Sequence, residues 1–231
     1  MCNIKLIILL ILLILLLSFH INYSKKEEAF INKKPLKFIH ITKNAGTYIE
    51  DTAKTNNILF GRFHKEYGNI KDGPSPWHHI FTIVNKDVKN KYDWFMVVRN
   101  PYDRILSEYY CQWGGIGKKN INHSKKDMNN FLIDKINKRS KIGDHYTEQY
   151  KYLDNNYKIH IIKFEDLNRG LKELFKIYNL NIKVIDKKIN TSKEKNNKLK
   201  FTINDFNNEL IKLINNVYSK DFELFNYKKL Q

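Results

Sequence analysis

Lys37-Phe38-Ile39-His40-Ile41-Thr42-Lys43-Asn44-Ala45-Gly46-Thr47-Tyr48-Ile49-Glu50 is the stretch whose reading decides the fold. Its first residues have the apolar character of a buried strand. After Ile41 come a lysine, small residues and a hydroxyl, then helix-compatible sequence. A strand, a tight loop and a helix start are expected, with Thr47 able to cap the helix. Such a junction is an anion cradle, because small residues let backbone N–H groups approach a phosphate and the helix N-terminus adds partial positive charge. The nucleotide loop G-x-x-x-x-G-K-[ST] puts its lysine after the second glycine. Here Lys43 precedes Gly46, the only glycine of the stretch, so an ordinary ATPase or GTPase loop is a poor match.

A second stretch, Tyr92-Asp93-Trp94-Phe95-Met96-Val97-Val98-Arg99-Asn100-Pro101-Tyr102-Asp103-Arg104-Ile105-Leu106-Ser107-Glu108-Tyr109-Tyr110, repeats the pattern. An apolar strand runs into Arg99, Pro101 suits the first turn of a helix, and Ser107 follows two turns later. One strand end thus offers an arginine and a serine to a second phosphate, and a planar guanidinium suits bidentate phosphate contact.

In this order the two blocks resemble those of the sulfotransferases that use 3'-phosphoadenosine 5'-phosphosulfate (PAPS). Within that superfamily the chain looks most like the membrane-anchored carbohydrate group that includes heparan sulfate 2-O-sulfotransferase. The family's first motif reads Pro-Lys-Thr/Ala-Gly-Gly/Ala-Thr-Ser/Thr and its second Arg-Asn/Asp-Pro-x-x-Arg-x-x-Ser. The resemblance implies that Lys43, Asn44, Ala45, Gly46, Thr47 and Tyr48 hold the 5'-phosphosulfate and that Arg99 and Ser107 hold the 3'-phosphate. Thr42, Asn44 and Tyr48 depart from the usual residues but leave the lysine, the glycine and the Thr47 hydroxyl in place. Asn190-Thr191-Ser192-Lys193 resembles the loop that closes over the nucleotide, which adds Thr191 and Ser192 to the cofactor-binding set. The likeness in character covers residues 36–227, including Ile161-Ile162-Lys163-Phe164-Glu165-Asp166-Leu167 and the segment from Tyr218 to Tyr227.

Sulfuryl transfer needs a base for the acceptor hydroxyl, positive charge at the transferring group, and help for the departing phosphate oxygen. Lys43 serves the last two. A base working near neutral pH favours histidine. His78 and His79 lie about twenty positions before Arg99, where the enzymes of this group carry a histidine thought to act as base. His79 is taken as the base, with His78 orienting it or touching the acceptor. Glu50 is an alternative, since other sulfotransferases use a glutamate shortly after the first loop. No further Cys or His at ligand spacing accompanies the pair, so no metal is expected. His40 is expected to pack in the sheet and Arg104 to pair with a carboxylate or a phosphate at the edge. Trp113, His145, Tyr146 and Gln149 either face the acceptor or fill the core.

The 231 residues divide into an N-terminal segment 1–22, a polar stem 23–35 and one domain, 36–231. Ile4 to Ile21 is apolar and about as long as the shortest membrane-spanning helix, roughly 17 residues. A single-pass anchor is expected, a cleaved signal peptide being the competing reading, although no small-x-small site follows. Lys5 on one side and Lys25, Lys26, Glu27 and Glu28 on the other do not fix orientation. The resemblance implies a luminal domain in the secretory pathway (Golgi). Cys2 and Cys111 would lie on opposite sides of that membrane, so no intrachain disulfide is expected. Three glycosylation sequons begin at Asn22, Asn122 and Asn190. The net charge of +17 suits an anionic cofactor and an anionic carbohydrate partner, while abundant Lys, Asn and Ile throughout is also what an AT-rich coding sequence produces. No nucleic-acid reader motif accompanies the charge.

Along the domain the sequence predicts strand Leu36 to Ile41, helix Thr47 to Lys54, strand Trp94 to Val98 and helix Tyr102 to Trp113. There follow a helix capped by Asp127 running through Lys138, strand Lys158 to Phe164, helix Asp166 to Tyr178 and a polar loop 186–200. A final helix capped by Thr202 buries Ile203, Phe206, Leu210, Leu213, Ile214 and Val217. This alternation implies an α/β fold, a P-loop-type parallel sheet flanked by helices with ligands at the strands' carboxyl ends. The activity implied by the resemblance is transfer from PAPS to a glycosaminoglycan-like hydroxyl. The donor motifs leave open a protein-tyrosine or lipid acceptor. An atypical P-loop kinase and a membrane-tethered glycan-binding protein with a dead donor site remain the other readings.

Overall fold

A computed structural model describes residues 11–21, 33–64, 66, 75–117, 123–184 and 201–231. The chain divides into two units, Met1–Pro35 and Leu36–Gln231. In the first, residues 11–21 form a helix with its Ile, Leu and Phe side chains exposed. No described helix is long and apolar enough to cross a membrane. Residues 4–10 of the expected anchor, most of the stem, the loop 186–200 with Thr191 and Ser192, and the three sequon asparagines lie outside the described residues.

The second unit is α/β. Strands β1 (Leu36–Ile39), β2 (Asp93–Val98) and β3 (Ile159–Lys163) form a parallel sheet in that order. Ile39 pairs with Met96 and Val98 with Lys163. Every residue of β2 from Trp94 to Val98 is buried, as a strand covered on both faces requires. Alternate side chains then serve two separate cores. Phe38, Phe95, Val97 and Ile162 pack with Ile49 and Ala53 of α1 (Gly46–Lys54) and with Leu167, Leu171, Leu174 and Phe175 of α5 (Leu167–Ile177). Ile39, Trp94, Met96 and Val98 pack on the opposite face with Phe81, Val84, Tyr152, Phe225 and Val88 of α2 (Lys86–Lys91).

A third core lies mainly between helices. Tyr102, Ile105 and Tyr109 of α3 (Pro101–Tyr109) meet Met128, Leu132 and Ile136 of α4 (Lys125–Asn137) and Leu210 and Ile214 of α6 (Asn208–Val217). A short helix α7 (Ser219–Leu224) follows and adds Phe222.

Besides shifts of one or two residues at strand and helix ends, such as β1 closing at Ile39 rather than Ile41, three starts or stops differ from the sequence reading for an identifiable reason. Helix α3 stops at Tyr109 rather than Trp113, because the chain folds back: Ile116 N–H bonds the Tyr109 carbonyl at 2.8 Å and Gly115 N–H the Cys111 carbonyl at 3.0 Å. A Cβ on Gly115 would lie 2.1 Å from the Glu108 carbonyl oxygen, so this return needs glycine. Ser124, not Asp127, caps α4; Asp127 is its reciprocal partner in a capping box. Thr202 caps only a single turn of 3-10 helix, Ile203–Asp205, since Asp205 closes a capping box there. Asn129 then takes the Asn207 N–H at 2.8 Å, and Asn207 starts α6.

Phe95 is fully buried between Phe38, Phe60 and Phe175. Phe95→Ala is expected to cost about 3–5 kcal/mol by urea denaturation of the folded domain.

Candidate active site

The loop after β1 is built from backbone that few residues adopt. Lys43 and Ala45 both have left-handed φ, 62° and 63°, the kind of turn that points successive N–H groups into a concavity suited to an anion. Helix α1 starts at Gly46 with Ala45 as N-cap, no side-chain cap and no acidic residue in its first turn. The start of such a helix carries partial positive charge that suits a ligand of negative charge. This corrects the expectation that Thr47 caps the helix: the left-handed turn starts the helix one residue earlier and leaves Thr47 exposed on it. Gly46 is required by a neighbour, since a Cβ there would fall 1.9 Å from Nε2 of His40.

His40 is buried, and its Nδ1 lies 2.6 Å from Glu50 Oε1. Glu50 also accepts the Arg62 N–H at 2.8 Å and faces Arg62 Nε at 3.3 Å. Fully buried and held by these groups, Glu50 braces the loop and does not present a carboxylate to an acceptor. Gly61, with φ 51°, allows this approach, because a Cβ there would come within 1.8 Å of Glu50 Oε1.

The loop after β2 abuts the first one. Arg99 stacks its guanidinium over the Phe164 ring at 4.2 Å and donates from NH1 to the Lys43 carbonyl at 3.2 Å. Burial lowers the Arg99 pKa, against the opposing pull of Asp103 and Glu165, so a phosphate beside it would relieve a desolvated cation. Asn100 caps α3 by accepting the Tyr102 N–H at 3.0 Å, Pro101 opens the helix, and Ser107 lies half-buried along it.

Beside the Arg99 contact, one buried amide bonds both loops at once. Gln149 Oε1 accepts from Asn44 Nδ2 at 2.7 Å and from Arg99 N–H at 2.9 Å, while Nε2 donates to the Arg99 carbonyl at 2.9 Å. Asp221, fully buried, fixes Gln149 by accepting its backbone N–H at 2.9 Å. Gln149 is therefore a clamp in the interior and not an acceptor-facing group. Asn44 likewise turns its fully buried side chain inward, its Nδ2 also donating to the Val97 carbonyl at 2.7 Å. Its backbone N–H is turned to the Ile41 carbonyl at 3.4 Å, so Asn44 shapes the loop from behind. The Tyr48 hydroxyl reaches toward Asn168 at 3.4 Å.

Beneath Lys43 lies a cluster that no spacing in the sequence marks. Thr42 Oγ1 donates to Glu108 Oε1 at 2.5 Å, and His145 Nδ1 lies 2.6 Å from Glu108 Oε2. Arg104, buried rather than at an edge, donates to the Thr42 carbonyl at 3.1 Å and the Thr147 carbonyl at 2.7 Å, with NH2 3.9 Å from Glu108. Burial pushes the Glu108 carboxyl up, but the His145 bond and the charges of His145, Arg104 and Lys43 outweigh it and hold it below the usual range. Burial pulls His145 down, and the bond to Glu108 with the charges of Glu108 and Asp144 raises it above its ordinary value. Cys111, a buried free thiol, stands close enough that the ligand atoms of Glu108, Cys111 and His145 lie within 4.8 Å of one another. Because Thr42 and His145 already bond to Glu108 and Arg104 stands beside it, this group has the character of a proton-handling pair rather than a metal cage.

The two histidines chosen from sequence separate. His79 is 2% exposed and forms an antiparallel bridge with Gly143. His78 is half-buried, with Nδ1 3.0 Å from the His40 carbonyl and its ring edge-on to His40 at 4.4 Å. Of the pair, His78 is the one whose charge is felt by His145 and Glu108. Gly143, with φ 110°, is the joint between this segment and the His145 loop: a Cβ there would lie 2.3 Å from the His78 carbonyl oxygen. Trp113 stands 80% exposed, one residue before Gly114, whose Cα packs on the His145 ring.

Two adjoining loops at the carboxyl ends of parallel strands, with acid–base groups beside them, form the candidate site. The sequence model described as the sulfotransferase family matches residues 20–228, and the chain belongs to that family. No curated protein and no solved structure matches it.

Burial lowers His78 to about 3 and, with Lys37 adding to the effect, His64 to about 4. Both folded values lie below the unfolded one, so the unfolded chain takes up these protons first. Their stabilisation is complete above about pH 6.5 and is lost as pH falls toward 4. At roughly 1.4 kcal/mol per pH unit, His78 alone accounts for about 3 kcal/mol over that interval. Urea midpoints should fall between pH 6.5 and 4, and His78→Gln should flatten the dependence.

Proposed function

We propose that the protein transfers the sulfuryl group of PAPS to a hydroxyl of a carbohydrate, glycosaminoglycan-like acceptor and releases 3',5'-ADP. The observation that carries this reading is the contact between the two loops, Arg99 NH1 to the Lys43 carbonyl at 3.2 Å. Ends of neighbouring strands this close suit one nucleotide phosphorylated at both its 3' and 5' positions. In this reading the backbone of Ala45, Gly46 and Thr47, the Thr47 hydroxyl and the Lys43 ammonium hold the 5'-phosphosulfate, with Asn44 and Tyr48 bounding the loop. Arg99 and Ser107 hold the 3'-phosphate, and Thr191 and Ser192 close over the nucleotide. The acceptor oxygen attacks sulfur in line as the bond from sulfur to the 5'-phosphate oxygen breaks. Lys43 neutralises the charge that develops on that oxygen.

His78 borders the site and touches the acceptor, while the buried His79 supports it. Supporting a carbohydrate acceptor are the exposed Trp113 indole beside the His145 cluster and the net charge of +17, which attracts a polyanion. The N-terminal segment 1–22 tethers the domain to a membrane of the secretory pathway, with the domain luminal.

With radiolabelled PAPS and an acceptor panel of polysaccharides, tyrosine peptides and lipids, transfer should go to the polysaccharides. Lys43→Ala and Arg99→Ala should each abolish it without unfolding the protein. In a thermal shift, 3',5'-ADP should raise the melting temperature of the wild type more than ATP with Mg²⁺. Transfer surviving both substitutions removes the assignment, and preference for ATP points to a kinase. Trp113→Ala should raise KM for the polysaccharide about tenfold, in keeping with roughly 1–2 kcal/mol for an aromatic contact.

A further inference from the structure

We propose that His145, held by Glu108, is the base that takes the proton from the acceptor hydroxyl. This rests on the sulfuryl-transfer reading and goes beyond it by moving the proton acceptor off the His78–His79 pair.

The argument starts from what stands behind each ring. His78 Nδ1 faces a backbone carbonyl at 3.0 Å. That contact orients the ring but supplies no net charge to stabilise an imidazolium, and burial lowers its pKa to about 3. His145 Nδ1 faces a fully buried carboxylate at 2.6 Å. With Glu108 ionised, Nδ1 carries the hydrogen and Nε2 is the lone-pair atom. This is the arrangement of a base oriented by a third group. Glu108 in turn accepts from Thr42, the residue before Lys43. The base is thereby bonded, through one carboxylate, to the loop that holds the donor.

The groups facing His145 come from four segments. Glu108, Arg104 and Cys111 belong to α3 and its end, Asp144 lies 3.6 Å from Nε2 on the adjoining loop, and His78 acts on Glu108 and His145 from the segment before Ile80. Lys43 adds its charge at Glu108 from the donor loop. The two carboxylates raise the affinity of the ring for a proton, and burial and Arg104 oppose them.

The backbone that carries His145 is costly to hold. Gly143, Asp144 and Tyr146 have φ of 110°, 114° and 64°, and for Asp144 this is a sparsely populated region. Neighbours impose it: Ile80 N–H bonds the Ile142 carbonyl at 3.0 Å, the Tyr218 hydroxyl the Tyr146 carbonyl at 2.6 Å, and the Tyr146 hydroxyl the Gly114 carbonyl at 3.0 Å. Gly114 completes the seat, since a Cβ there would come within 2.5 Å of the His145 ring. A strained loop fastened on both sides fixes the direction of one ring.

In the step itself, the acceptor O–H bond breaks and its proton passes to His145 Nε2 as the oxygen–sulfur bond forms. The sulfur–oxygen bond to the 5'-phosphate breaks, and its electron pair stays on 3',5'-ADP. The imidazolium left behind is stabilised by Glu108.

The test uses the full-length chain in detergent, with chemically desulfated heparin as the acceptor probe. His145→Gln should lower kcat about 100-fold or more, the usual range for a general base, while the melting shift with 3',5'-ADP stays at the wild-type value. The wild-type kcat should rise with pH through an apparent pKa above the ordinary histidine value of 6.5, and Glu108→Gln should move that limb to lower pH. Retention of kcat within roughly threefold in His145→Gln, with loss in His78→Gln, would overturn the proposal. Ring-proton NMR titration of His145 needs no acceptor and decides it independently. A wild-type value above 6.5 that falls in Glu108→Gln supports the pair, and a value unmoved by the substitution removes it. A wild type that fails to bind 3',5'-ADP overturns the donor-site reading, and this one with it. Normal binding with an indifferent His145→Gln overturns this one alone.

Discussion

The primary amide of Gln149 is the interaction on which the site depends. It is the only kind of neutral side chain able to accept from Asn44 and Arg99 at one end while donating to the Arg99 carbonyl at the other. The two loops emerge from neighbouring strands and are also tied by Arg99 to the Lys43 carbonyl and by Arg104 to the Thr42 carbonyl, but Gln149 bonds both of them through one group. With the amide in place, the left-handed turn at Lys43 and the cap at Asn100 are fixed at one separation. A rigid separation matters because a ligand spanning two loops binds at lower cost when neither must be reordered on binding.

Around this clamp the protein buries charge to an unusual extent. Arg104 is 1% exposed and Glu50, Glu108 and Asp221 are fully buried. Desolvating such groups is expensive unless hydrogen bonds satisfy them. Here Arg104 is met by two carbonyls and a hydroxyl, Glu108 by Thr42 and His145, Glu50 by His40 and Arg62, and Asp221 by the N–H groups of Gln149 and Tyr150. The consequence is a pair of loops whose undersides are held by a dense set of hydrogen bonds and ion pairs. Glycines at 46, 61, 114 and 143 make this possible, each where a side chain would strike a functional ring, a carboxylate or backbone.

Much of the fold was readable in advance. The strands at Leu36–Ile39, Asp93–Val98 and Ile159–Lys163, and the helices after the first two, carry their signals locally, as apolar runs and a proline at a helix start. Boundaries were misread where a distant partner intervened, as at Asn207, whose N–H goes to Asn129, a residue 78 positions away. Within the candidate site, Lys43, Gly46 and Arg99 lay in motifs. Glu108 was passed over because a glutamate on a helix one turn from an arginine looks like a solvated ion pair. Asn44 and Glu50 were read as ligand or base because their spacing says nothing of which way a side chain turns.

The amino-acid sequence by itself determined the alternation of strands and helices, the motifs carried by two loops and the family to which the chain belongs. All three are encoded within windows shorter than a strand–loop–helix unit. The tertiary structure alone decided which polar groups meet. Asn44 joins Gln149 across 105 positions, Thr42 joins Glu108 across 66 and His145 joins Glu108 across 37. Those partnerships follow from how parallel strands and strained turns bring remote segments together, a geometry that no local periodicity records.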